Sequence, residues 1–241
     1  MPVWTALALA TPLFGFSLHV SPDVLTLPAE VLVAAQRVDA PWAGTAPAEV
    51  AAVQAAAALP PEVIAAQMDQ RARLAKVHRI MGITTWSAMT VTVVLGFIQY
   101  YNLYGTFSSL GDTPCVKGTA VFGQRQCRGQ PIPHLVSAGV TSALYFTTYG
   151  LALAMPDPLH LDEGNSAFAK RLRLHKRLRW VHLSGMIAQL LLGVFVANAE
   201  HFGFDRANHY RGLRALATVH LGIGLVTYGA LTWAGALYVK Q

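Results

Sequence analysis

Charge is what this chain has least of. Only 12% of its 241 residues are Asp, Glu, Lys or Arg, and 54% are hydrophobic, whereas a soluble domain carries about 25% charge. Asp and Glu are missing altogether from four apolar segments, roughly 78–101, 132–155, 178–199 and 213–238. A hydrolase site of paired carboxylates therefore has no place in them. The chain also lacks a phosphate-cradling Gly loop, a GxSxG elbow and an HExxH helix, which removes the commonest signatures of nucleotide, serine-hydrolase and zinc-protease chemistry. Cysteine is nearly absent. Cys115 and Cys127 are the only two, and without CxxC or CxxCH spacing they argue against a zinc site and covalent c-type haem.

What remains is lipid-like. Each apolar segment is long enough to cross a hydrocarbon core of about 30 Å at about 1.5 Å per residue. The expected fold is all-α and integral to a membrane, with a four-helix transmembrane core bundle. Residues 1–20 form a further apolar run without a basic start, read as an additional N-terminal helix or a signal segment. Residues 21–75 are Ala- and Pro-rich and read as a linker, and 76–241 as the four-helix membrane domain.

The net charge of +6 lies beside the segments rather than on a face rich in exposed aromatics, so lipid, not nucleic acid, is the expected partner. Alternating helix directions define two ends. Face A collects Arg71, Arg73, Lys76, Arg79, Lys170, Arg171, Arg173, Lys176, Arg177, Arg179 and Lys240; face B collects Lys117, Arg125, Arg128, Arg206, Arg211 and Arg214. Eleven against six places face A in the cytoplasm. The two cysteines share one face-B loop, where a disulfide needs an oxidising compartment. A retained N-terminal helix agrees with this orientation; a cleaved signal would invert it.

Against this apolar background four histidines stand out. His78 and His182 lie near the starts of segments one and three, toward face A; His134 and His220 lie near the starts of segments two and four, toward face B. Intramembrane histidines point to function. Two same-depth pairs, with no carboxylate or thiol nearby, suit the two axial positions of haem iron better than zinc. His175 is the rival to His182, because seven residues place both on one helix face. It sits among the cations of LRLHKRLRW, which belong in water, whereas His182 lies deeper; depth selects His182, with His175 as the alternative. Gly82, Gly185 and Gly224 follow His78, His182 and His220 by three or four residues, leaving room on the same helix face for a flat macrocycle. Gly96, Gly150, Gly193 and Gly229 fall where a helix would pass the other cofactor. Lys76, Arg79, Arg177 and Arg179 on face A, and Arg211 and Arg214 on face B, are candidate partners for haem propionates. The irons are expected about 15–20 Å apart.

These features resemble the cytochrome b-561 family over about 78–238. The resemblance rests on histidines in four consecutive helices that pair first with third and second with fourth, and on LAKVHRIMGITTWSAMTVTVVLGFIQYY, which is similar to that family's first core helix. It implies two haem b groups, axial roles for His78 with His182 and for His134 with His220, and transmembrane electron transfer. The two extra helices of the animal and plant ascorbate-linked members are not evident, and the cysteine loop is unusual. That points to a bacterial-type member in the inner membrane, either an oxidoreductase or an electron-transfer subunit. Candidate partners are a quinone, a periplasmic cytochrome, and a dehydrogenase or hydrogenase subunit for which the chain would serve as haem-bearing anchor. A non-redox membrane assembly or transport protein is the reading from a different class.

Overall fold

The computed structural model describes residues 59–128 and 131–238. The expected N-terminal apolar segment and most of the linker fall outside them. The described residues hold no strand. They form four long helices, α1 (Pro61–Tyr104), α2 (Ile132–Leu153), α3 (Ala167–Ala197) and α4 (Arg206–Ala236).

Three of the four, α1, α3 and α4, are long and apolar enough to cross a membrane. Helix α2 has 22 residues and no charged side chain, and its apolar run is interrupted by Ser137, Thr141, Ser142, Tyr145, Thr147, Thr148 and Tyr149. The outer faces agree with lipid as solvent. Ile80, Val91, Val94, Leu191, Val194, Val226 and Trp233 are all more than half exposed, while Thr85, Thr141, Thr227 and His182 are buried. The inward threonines are satisfied inside the protein, Thr85 Oγ1 donating to the Met81 carbonyl at 2.7 Å, Thr227 Oγ1 to that of Ile223 at 2.7 Å, and Thr141 Oγ1 bonding Thr92 Oγ1 of α1 at 2.8 Å. That is the arrangement a medium without water demands.

The helices begin earlier than hydropathy suggests. Helix α1 runs 44 residues, about 66 Å at helical rise, so the expected linker is helical from Pro61 onward. Pro61 occupies the first helical position, where its missing N–H is harmless, and EVIAAQMDQRARLAK consists almost wholly of good helix formers. Helix α3 begins at Ala167, where the Ser166 hydroxyl accepts from the Ala169 N–H at 3.0 Å. Asp205 caps α4 through the Asn208 N–H at 2.8 Å, and the helix kinks at His209.

Neighbouring helices run antiparallel. Helix α1 packs on α2 and α4, and α3 on α4. Trp86 Nε1 of α1 donates to Thr232 Oγ1 of α4 at 3.0 Å, and Tyr100 bonds Thr218 at 2.8 Å. Met89, Tyr145 and Met186 form the mid-bundle core.

The loop from α1 to α2 contains the expected disulfide, Cys115–Cys127, with Cα atoms 5.5 Å apart. Asn102, fully buried at the end of α1, clamps this loop twice. Its amide donates to the Val121 carbonyl at 3.0 Å and its oxygen accepts from the Val121 N–H at 2.8 Å.

The loop from α2 to α3 is tied by ions. Lys176 lies 2.8 Å from Asp162 and 3.5 Å from Asp157, and Arg71 lies 3.4 Å from Asp157. Burial alone would raise the Asp162 pKa, but the hydrogen bond and charge of Lys176 hold it below its ordinary 3.8. A depressed folded-state value means that the pairing stabilises the loop fully above that ordinary value and loses its contribution as pH falls through the folded one. Hydrogen exchange across 157–166 should therefore be flat from neutral pH down to about 4 after correction for intrinsic rates, and should rise below it. Asp162→Asn should show the faster exchange already at neutral pH.

Candidate cofactor-ligand sites

At the face-A end His78 of α1 meets His175 of α3, with ring centroids 6.3 Å apart and planes at 82°. At the face-B end His134 of α2 meets His220 of α4, at 6.4 Å and 90°. Both contacts cross the bundle diagonally, first helix to third and second to fourth. Two imidazoles that bound one metal from opposite sides at about 2.0–2.1 Å would have centroids roughly 6.4 Å apart, within the range that rings in plain edge contact also show. Each pair is close enough to share one ion.

Three of these rings have their Nδ1 fixed. His78 Nδ1 donates to the Thr148 carbonyl at 3.0 Å, His134 Nδ1 to that of Thr92 at 3.2 Å, and His175 Nδ1 to that of Ala234 at 3.2 Å. A carbonyl can only accept, so Nδ1 carries the proton and Nε2 keeps its lone pair for a metal. His220 Nδ1 is buried without a partner; its backbone carbonyl accepts from Gln189 Nε2 at 2.6 Å. Along α2, fourteen residues separate His134 from Thr148, which puts the pairs about 21 Å apart along the bundle, slightly beyond the expected range.

His182 is not where the sequence reading put it. Its ring does not face His78. Its Nδ1 lies 2.6 Å from the Tyr145 hydroxyl, with the two rings edge-to-face at 5.6 Å. The difference has a physical source. The basic run around His175, expected in water, is already part of α3. Two of its four cations are taken up by the loop beneath. Lys176 pairs with Asp162, and Arg173 donates to the carbonyls of Asp162 at 2.6 Å and Gly164 at 2.8 Å. His175 is thereby free to turn inward. One sequence signal did favour it, since Gly193 follows His175 by the same eighteen residues that separate Gly96 from His78.

The glycines divide. A Cβ on Gly96 would stand 3.1 Å from the His134 ring and one on Gly193 3.4 Å from the His220 ring, so both mark the helices that pass the face-B pair. Gly82 and Gly150 border open space. Gly185 instead lies against the Thr227 side chain and Gly224 against Gln189, where they let α3 and α4 approach closely. Among the cations, Lys76, Arg79 and Arg177 are exposed. Arg179 is half-buried, with its guanidinium 5.9 Å from the Tyr149 ring centre and 5.3 Å from that of Trp180, and its Nε is buried without a partner. Arg214 is engaged elsewhere, donating to the Ser108 carbonyl at 3.0 Å.

Among the described residues no three His, Cys, Asp or Glu side chains converge as a metal site. Neither histidine pair thus has a third His, Cys, Asp or Glu ligand among the described residues. A cavity of about 650 Å³ opens at the face-B end, lined by Phe195, Phe204, Asn208, His209, Tyr210 and Arg211 among others. No family model, curated protein or solved structure matches the chain.

Proposed function

We propose that this chain is a di-haem membrane protein that carries electrons between the two faces of a bilayer, with α2 completing a four-helix membrane core. The observation that carries the reading is the pair of diagonal imidazole contacts at metal-bridging separation, with the ring tautomers of His78, His175 and His134 fixed for ligation. Haem b accounts for what the protein leaves missing, a flat group that supplies four further ligands and lies beside glycines. When bound, it supplies the one-electron redox change. His78 and His175 would hold the face-A haem, and His134 and His220 the face-B haem. Arg179, with its unpartnered Nε, is the best placed cation for a propionate, ahead of Lys76 and Arg79.

The protein fixes the depth of each site, keeps water out and sets the local dielectric. A span of about 21 Å between pairs leaves a shorter edge-to-edge gap for the electron. The disulfide supports an oxidising compartment at face B and so a cytoplasmic face A, in keeping with a bacterial inner membrane. The face-B cavity falls within the usual ligand-pocket size. Its aromatic walls and hydrogen-bonding rim suit a quinone headgroup, and a periplasmic cytochrome or dehydrogenase subunit is the partner for the other redox step.

Vesicles test this reading. With dithionite outside and ferricyanide trapped inside, proteoliposomes should bleach the trapped oxidant faster than empty liposomes, and a His134→Ala, His220→Ala double variant should not. Equal bleaching by wild type and double variant would remove the transmembrane role.

A further inference from the structure

We infer that Tyr145 and His182 form a proton-holding pair that sets the redox potential of the neighbouring His78–His175 site. His182 takes up one proton when an electron arrives there. The inference rests on the di-haem reading above and adds a role for the one buried bundle histidine that the ligand pairs leave unused.

The partner atoms carry the argument. The rings of His78, His134 and His175 each give Nδ1 to a backbone carbonyl, which fixes one tautomer. His182 faces a phenol instead, at 2.6 Å, and a phenol both donates and accepts. The Tyr145 hydroxyl donates to Nδ1 while the imidazole is neutral. After a quarter-turn or more of the hydroxyl, it accepts from Nδ1–H once the ring is charged. Both protonation states are satisfied without moving a helix. His182 is 7% exposed and Tyr145 3%, so their environment is fixed by the bundle, not by solvent.

Placement gives the coupling. His182 lies seven residues from His175 on α3, about 10 Å along the axis, and eleven from Gly193 at the other pair, about 16 Å. Its direct partner is Tyr145 of α2, the charged groups whose field reaches it are His175 and Arg179 of its own helix and His78 of α1, and Tyr228 of α4 packs against the adjoining Met89–Tyr145–Met186 cluster. No carboxylate stands among them. An electron placed on the face-A site is a negative charge in a low-dielectric interior, and an imidazolium at His182 offsets it. The step balances. One electron from the reduced donor goes to ferric iron, one proton from solvent goes to His182, and both leave on reoxidation.

The test is potentiometry of the full chain with both haems bound, from about pH 4 to about pH 8. The face-A haem is identified as the one lost in His175→Ala. Its midpoint should fall with rising pH on the acid side of this range and level off above it, with a slope below about 59 mV per unit, the limit for one proton per electron in a one-electron couple. His182→Gln keeps a hydrogen bond to Tyr145 and cannot take the proton, so it should flatten the slope while retaining both haems. His182→Phe should do the same. Tyr145→Phe removes the acceptor for the charged ring and should move the sloping region to lower pH. Redox-difference infrared spectra should contain imidazole bands that disappear in His182→Gln. A slope that survives both His182 variants would place the proton elsewhere, for instance on propionates, and overturn the inference. A pH-independent wild-type midpoint would overturn it too, while leaving the di-haem reading intact. A folded protein without haem would overturn both.

Discussion

Replacing His175 by Ala should halve the haem content, from two per chain to one, and replacing His182 by Ala should leave it at two. The two residues sit seven apart on one helix face, so periodicity treats them alike, and hydropathy favours His182. Their surroundings separate them. His175 presents its ring to His78 at 6.3 Å and anchors Nδ1 on the Ala234 carbonyl, whereas His182 spends Nδ1 on Tyr145. On the di-haem reading, losing His175 would leave the face-A haem with only His78 to hold it, and affinity should drop far enough for that haem to be lost on purification. His182→Ala instead opens a cavity and strands the Tyr145 hydroxyl, a loss of about 1–3 kcal/mol from the stranded group alone. Spectral haem quantification of both variants checks this. Loss of one haem in His182→Ala with two retained in His175→Ala would restore the pairing expected from sequence.

The second large effect is steric. Gly96→Leu should remove the face-B haem and spare the face-A one. A Cβ alone at position 96 would lie 3.1 Å from the His134 ring, tighter than ordinary contact, so the rest of a leucine side chain must push that ring off His220. Gly82→Ala is the control. Nothing lies within 4 Å of a Cβ there, and both haems should remain, with a potential shift reporting any contact with the cofactor. If Gly96→Leu binds two haems with unchanged spectra, the His134–His220 contact is not the face-B ligand pair.

Much of this architecture is legible in the chain. The apolar segments locate the bundle, alternation of direction puts His134 and His220 at one end, and two cysteines in one loop give the disulfide. What hydropathy reports, however, is depth in lipid, not helix length. Helix α1 continues from its apolar part back to Pro61 through AAQMDQRARLAK because those residues favour helix wherever they lie. Helix α3 likewise runs through LRLHKRLRW. There the sequence misleads about His175, since the four cations around it read as solvated. Which acids and carbonyls would receive them depends on the fold of the preceding loop against α3, and no local pattern states that Asp157 and Asp162 return to Lys176. The partner of His182 is hidden for the same reason. Tyr145 lies thirty-seven residues away, on a helix whose rotation only packing fixes. Gly185 and Gly224 satisfy the spacing rule for a cofactor face, yet the close approach of α3 and α4 uses them. A glycine permits proximity without stating to what.

The central claim is that two diagonal imidazole pairs each clasp one haem b. Haem quantification on purified, folded wild-type chain tests it most directly, by the pyridine haemochrome spectrum set against protein concentration. The account predicts b-type bands at two haems per chain, both reducible by dithionite. A folded, monodisperse protein that stays colourless after expression with ample haem would contradict it.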